Sequence, residues 1–182
     1  MGHSFAQFVE LQRQTWVYHS HLHATHPYQS KWWQWPLAQR PVWYWTSGGP
    51  GPRFGNVFAL GNPLIAWALV PGVIAACGLA WRRRDMALLA VLLIGFFGQW
   101  LPWALVPRIA FAYHFLPATT IGVMALALVL VALAGRGGAA RTVAVAYVIA
   151  VLAAAVYFYP MRAAVPLTGT EIEARMWMPS WH

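Results

Sequence analysis

GNPLIAWALVPGVIAACGLAWRRRDMALLAVLLIGFFGQW, residues 61–100, decides the fold of this chain. It holds two apolar runs around a tight polar break, Arg82–Asp85. Each run is long enough to cross about 30 Å of hydrocarbon at about 1.5 Å per residue. Asn62 offers a cap oxygen and Pro63 suits a first helical position. The first span is therefore expected to start at Gly61-Asn62-Pro63 and reach Trp81, with a kink at Pro71-Gly72. Asp85 is expected to cap the second, from about Met86 to Val106. Two further runs extend from about Ala110 to Ala134 and from about Arg141 to Tyr159, where Pro160 is expected to stop the helix. The result is four spans of roughly 19–25 residues each.

Composition agrees. Of 182 residues, 60% are hydrophobic and only 9% charged, too apolar for an ordinary soluble domain. The reading is an all-α membrane protein in three parts: a mixed, Trp-rich external segment (1–60), a transmembrane bundle (61–160) and a short external tail (161–182). Residues 4–19 read as an amphipathic helix too polar to span, with Phe5, Phe8, Val9, Gln12 and Trp16 near one face. Residues 1–20 lack the compact apolar core and small-residue cleavage site of a signal peptide. The stretch TSGGPGPRF, residues 46–54, is Gly/Pro-rich and is expected as a turn or loop.

A formal charge of +8 invites a nucleic-acid reading. Its distribution argues against one: Arg82, Arg83 and Arg84 fall between two spans, and Arg136 and Arg141 between two others. Short cytoplasmic loops carry arginine in this way. The loops Arg82–Asp85 and Gly135–Ala140 are then cytoplasmic, and both termini and the 107–111 turn external. Cys77 stands alone and has no disulfide partner.

Outside the spans, HPYQSKWWQWP (residues 26–36) is the most informative run, with Trp32, Trp33 and Trp35 around Lys31. Such rings favour the water–lipid boundary. Trp33 and Trp43 read as anchors in that belt, while cationic neighbours single out Trp32 and Trp35. At the other external feature, PRIAFAYHFLP (residues 107–117), Arg108 sits at a hinge between spans. An arginine at membrane depth must snorkel or meet an anion. His19, His23 and His26 have i, i+4, i+7 spacing, but Pro27 ends any helix and no carboxylate or cysteine is near, so no metal site is expected.

These motifs carry a resemblance. WVYHS, HPYQSKWWQWP, LGNP and PRIAFAYHFLP resemble, in order, the C-terminal four-helix membrane domain of the protein O-mannosyltransferases. His19 and His26 match the family pattern; His21 and His23 look like local additions. The resemblance implies a GT-C-type glycosyltransferase architecture in the cell membrane. It also implies transfer of mannose from a polyprenyl-phosphate-mannose donor to Ser or Thr of an exported acceptor protein, without a cofactor. On that basis Lys31, Arg40 and Arg108 would hold the carrier phosphate. His26, Tyr28, Trp32, Trp35 and His114 would shape the pocket, and His114 would bond or protonate the leaving phosphate. The implied partners are donor, acceptor, membrane lipid and a catalytic N-terminal half, and not nucleic acid. The family's catalytic acidic pair has no counterpart among Glu10, Asp85, Glu171 and Glu173, the only carboxylate side chains here. The alternative is a non-catalytic subunit or truncated paralogue that binds the carrier or partners a full-length transferase.

Overall fold

A computed structural model describes residues 4–22, 24–47 and 51–182. Helix α1, Phe5–Ser20, opens with a capping box: Ser4 accepts from the Gln7 N–H, and Gln7 reaches back to the Ser4 N–H. All its residues stay exposed or half-exposed, as a surface-lying helix with no protein face to cover it would.

Among the described residues, four helices are long and apolar enough to cross a membrane: α2 (Pro63–Arg82), α3 (Met86–Leu105), a third span Ala112–Ala134 whose α-helical part is α4 (Leu116–Ala134), and α5 (Gly138–Arg162). Their outer faces remain apolar and exposed, with Ile94 at 70% and Val156 at 75%. Such surface is stable only against lipid. Asn62 caps α2 as expected, its Oδ1 accepting from the Leu64 N–H at 3.1 Å. Its Nδ2 also donates to the Val151 carbonyl in α5 at 2.8 Å, so one amide ties two spans together. At the far end α2 closes with Asp85 N–H donating to Ala80 O and Arg84 N–H to Trp81 O. That is the Schellman pattern, and it places Arg84 in the left-handed region at φ 56°. Asp85 then accepts from the Leu88 N–H and starts α3.

The spans differ from expectation in detail. Within α3, Leu93–Phe97 widens to a π turn and Leu101–Leu105 tightens to a 3-10 helix. The third span enters through a 3-10 turn, Ala112–Phe115. Pro160 does not stop α5, which runs to Arg162. A proline this near the end removes a single ladder bond, and the Arg162 guanidinium donates to the nearby Ala155 carbonyl at 2.7 Å.

α2 packs most extensively against α4, through small residues. A Cβ added at Gly72 would lie 3.1 Å from Leu126 Cδ1, and one at Gly122 would lie 2.8 Å from Leu69 Cδ2. The core formed there includes Leu69, Val73, Leu92, Phe96, Trp100 and Phe115, together with Trp35 from the Trp-rich segment.

The Trp-rich segment contains short strands that periodicity did not announce. β1 (Trp43–Thr46) pairs antiparallel with β3 (Asn56–Phe58), and β2 (Arg53–Phe54) with β4 (Leu167–Thr168). The expected 46–54 loop thus has strand at both ends, while residues 48–50 lie outside the described ones. After β4 the tail forms α6 (Gly169–Glu173) and a last turn, Pro179–Trp181. The Trp181 indole N–H donates to Ala38 O at 2.6 Å, and the Ser180 hydroxyl to Gln39 O. The tail and the Trp-rich segment therefore share one side of the bundle.

Candidate functional site: a cationic cleft at one end of the bundle

Backbone and side-chain bonds hold the motif HPYQSKWWQWP against the turn that follows α3. Ser30 N–H donates to Ala110 O at 2.8 Å, and the Trp100 indole N–H to Trp32 O at 2.9 Å. Lys31 precedes a 3-10 turn, Trp32–Gln34, and its N–H donates to Gln34 Oε1 at 2.7 Å. These bonds fix the backbone on both sides of Lys31 and leave its side chain exposed.

Between the two segments lies an open cleft of about 910 Å³. His26, Lys31, Trp32, Arg40 and Arg108 all line it. Arg40 Nη1 donates to Pro27 O, which braces the turn carrying His26. Arg108 is half-buried, and its Nη1 lies 3.0 Å from His19 Nδ1. A guanidinium only donates, so His19 Nδ1 accepts and that imidazole carries its proton on Nε2. Residues that sequence reasoning did not select also line the cleft: Thr25, Gln29, Ser30, Gln34 and Trp103. Most sit in or beside the same motif, where the aromatic and cationic residues drew attention from the amides and hydroxyls.

Tyr28, Trp35 and His114 are not among the lining residues. Tyr28 is half-buried beside His26, its N–H donating to His26 Nδ1 at 3.2 Å. Trp35 is only 4% exposed, and its indole N–H donates to Ser30 Oγ at 3.0 Å. His114 packs between Trp103 and Tyr113, at ring distances of 4.3 and 4.6 Å, and its Nδ1 closes the turn onto the backbone of Phe111. Here these two side chains build the wall behind the cleft. Trp33 and Trp43 are 44% and 40% exposed at the periphery.

Among the described residues, no carboxylate lines the cleft. Glu10 pairs with Arg13 at 2.8 Å, and hydrogen bonds from Arg13 and Gln14 hold its carboxyl down to about 2. Asp85 caps α3 at the opposite end. Glu171 caps α6 and lies 3.8 Å from Arg53, and Glu173 lies 3.5 Å from His182. Lys31, Arg40 and Arg108 thus share a concave surface without a counter-charge, an arrangement suited to an anion. Among the described residues no three His, Cys, Asp or Glu side chains gather as metal ligands. His23, one of the spaced histidines, lies outside the described residues.

Residues 4–181 match the family model described as the C-terminal four TMM region of protein-O-mannosyltransferase. The chain belongs to the protein O-mannosyltransferase family. It is 32% identical over 173 residues to a polyprenol-phosphate-mannose–protein mannosyltransferase of Mycobacterium tuberculosis, a match covering 86% of this chain and 32% of that protein. Dolichyl-phosphate-mannose–protein mannosyltransferase 1 of Saccharomyces cerevisiae is 28% identical over 198 residues, covering 97% of this chain and 24% of its own length. The fold matches the structure of the S. cerevisiae protein O-mannosyltransferase Pmt1-Pmt2 complex bound to the sugar donor. There the TM-score is 0.77 at 25% identity, over 100% of this chain and 27% of the yeast chain. The present chain thus spans about a third or less of these mannosyltransferases and corresponds to their C-terminal membrane domain, within a GT-C-type architecture.

Proposed function

We propose that the cleft holds the phosphate of a polyprenyl-phosphate-mannose donor, and that the chain is the carrier-binding domain of an enzyme mannosylating Ser or Thr of exported proteins. The observation that carries this reading is the cluster of Lys31, Arg40 and Arg108 around one cleft that no carboxylate lines. Its position supports the same reading. The cleft opens where the spans end, so a polyprenyl tail can stay in hydrocarbon while its phosphate meets the cations. Trp32 would offer a ring face to the sugar or to the first isoprene units, and His26 a polar edge. With the Arg82–Asp85 loop cytoplasmic, the cleft and both ends of the chain face outside the cell membrane.

Transfer breaks the bond from the mannose anomeric carbon to phosphate oxygen and forms one to the acceptor hydroxyl oxygen. Negative charge on the departing polyprenyl phosphate grows as this happens, and the fixed cations stabilise it. The acceptor's proton needs a base. With no carboxylate at the cleft, that base would come from a further part of the enzyme, such as a catalytic N-terminal half. The same observation favours a second reading, a subunit that binds the carrier without turning it over.

Binding of polyprenyl phosphate to the chain in nanodiscs tests the proposal. A charge-assisted bond to phosphate contributes about 1.5–3 kcal/mol. Arg108→Ala and Lys31→Ala should therefore each weaken binding by about one to two powers of ten. Arg108→Lys should recover part of the loss, since a point charge lacks the guanidinium fork. Arg141→Ala, at the opposite end, should change nothing. Equal affinities for wild type, Arg108→Ala and Lys31→Ala would refute the site. Turnover by the purified chain with donor and a Ser/Thr peptide would show that no outside base is needed.

A further inference from the structure

A second concavity, of about 300 Å³, lies at the other end of the bundle in the groove between α2 and α4. Its walls are apolar: Ala75, Gly78 and Leu79 from α2, and Val129, Ala132 and Leu133 from α4. Its mouth carries Arg82, from the last turn of α2, and Arg136, from the turn after α4. Both arginines are exposed, and neither forms an ion pair among the described residues. Asp85, the acidic residue of the adjoining turn, is engaged in capping α3 and does not line the groove.

We propose that this groove is a binding site for an anionic glycerophospholipid, with the headgroup phosphate between Arg82 and Arg136 and one acyl chain along the α2–α4 groove. Three features point to a lipid as the occupant. The walls lie within spans whose outer faces are apolar, so hydrocarbon is the medium that reaches them. The mouth presents two guanidinium groups, each able to grip a phosphate through paired N–H donors. The groove is also open along α2: Gly78, one of its lining residues, is exposed, and a Cβ added there would meet nothing within 4 Å. Basic pockets between spans at a membrane surface characteristically receive acidic headgroups. In the orientation proposed above this end faces the cytoplasmic leaflet, and the site is separate from the carrier cleft.

Native mass spectrometry of the chain released from detergent, titrated with phosphatidylglycerol, tests the assignment. Wild type should retain a one-to-one adduct. Arg82→Ala and Arg136→Ala should each lower its affinity about fivefold, the equivalent of about 1 kcal/mol per arginine at a membrane surface. Gly78→Phe, which fills the groove and keeps both charges, should lower it at least as much. Arg83→Ala, outside the lining, should leave it unchanged. Phosphatidylcholine should bind at least fivefold more weakly, and inorganic phosphate should fail to displace the lipid. Equal retention by wild type, Arg82→Ala and Gly78→Phe would overturn the proposal. So would an equal loss in Arg83→Ala, which would reduce the effect to general surface charge.

Discussion

Replacing Gly122 by alanine tests how closely the first and third spans approach. A Cβ at this position would lie 2.8 Å from Leu69 Cδ2 and 2.9 Å from Phe96 Cε2. Carbon contacts are comfortable only at about 3.5–4.0 Å. The neighbours have little room to retreat: Leu69 is 1% exposed and Phe96 fully buried, with ring centroids of Phe97, Trp100 and Phe115 between 5.1 and 5.8 Å from that of Phe96. Overpacking of this kind costs about 1–3 kcal/mol. Alanine recovers about 0.8–1.0 kcal/mol of helix propensity, so the net loss should be up to about 2 kcal/mol. Gly78→Ala makes the same chemical change in α2, where nothing lies within 4 Å, and should stabilise by the propensity alone. Propensity cancels between the two variants, so their difference reads the packing cost. At about 2–4 °C per kcal/mol for a chain of this length, Gly122→Ala should melt about 2–12 °C below Gly78→Ala. Tryptophan fluorescence during heating in one detergent reads both. Coincident melting temperatures would refute the described α2–α4 approach.

Two further outcomes are expected. The Thr168 N–H and hydroxyl, with Arg53 and Arg175 nearby, hold the Glu171 carboxyl below its ordinary value of 4.5. A carboxyl depressed in the folded state stabilises above its unfolded value, and that contribution is lost as pH falls through the folded one. Amide exchange of residues 167–173 should therefore lose protection relative to the spans as pH falls below 4.5 and stay constant above it, and Glu171→Gln should remove the effect. For orientation, cysteines placed by Thr46→Cys and Glu173→Cys should react with an impermeant thiol reagent in intact cells and Arg84→Cys should not. The reverse pattern would invert the bundle.

The spans were legible because apolar runs of membrane length, and caps such as Asn62 and Asp85, act locally. What stayed hidden depends on distant partners. The β2–β4 pair joins Arg53 and Phe54 to Leu167 and Thr168, with all four spans between them in sequence, and strands of two residues carry no periodicity of their own. Pro160 reads as a stop because its missing N–H is local, yet with only two helical residues left beyond it a single ladder bond is lost and α5 runs on to Arg162. The cleft was half legible. Lys31, Arg40 and Arg108 stood out by charge, yet nothing in the motif separates the exposed Trp33 from Trp35, whose burial rests on Phe115 and Trp103. The Arg108–His19 contact is equally unreadable from sequence, since 89 positions separate its partners.

The two bonds from Ser180 and Trp181 to Gln39 and Ala38 also bear on the order of assembly. Lys31 and its neighbours are synthesised before the four spans, and the tail that bonds to residues 38–39 after them. Until the fourth helix has been threaded, residues 38–39 lack these two partners. Because the two segments meet on one side of the bundle, these bonds form only when an even number of crossings separates them. The clasp thus ties the segment that carries Lys31 and Arg40 to the far end of the fourth span, so part of its anchoring waits for the last crossing.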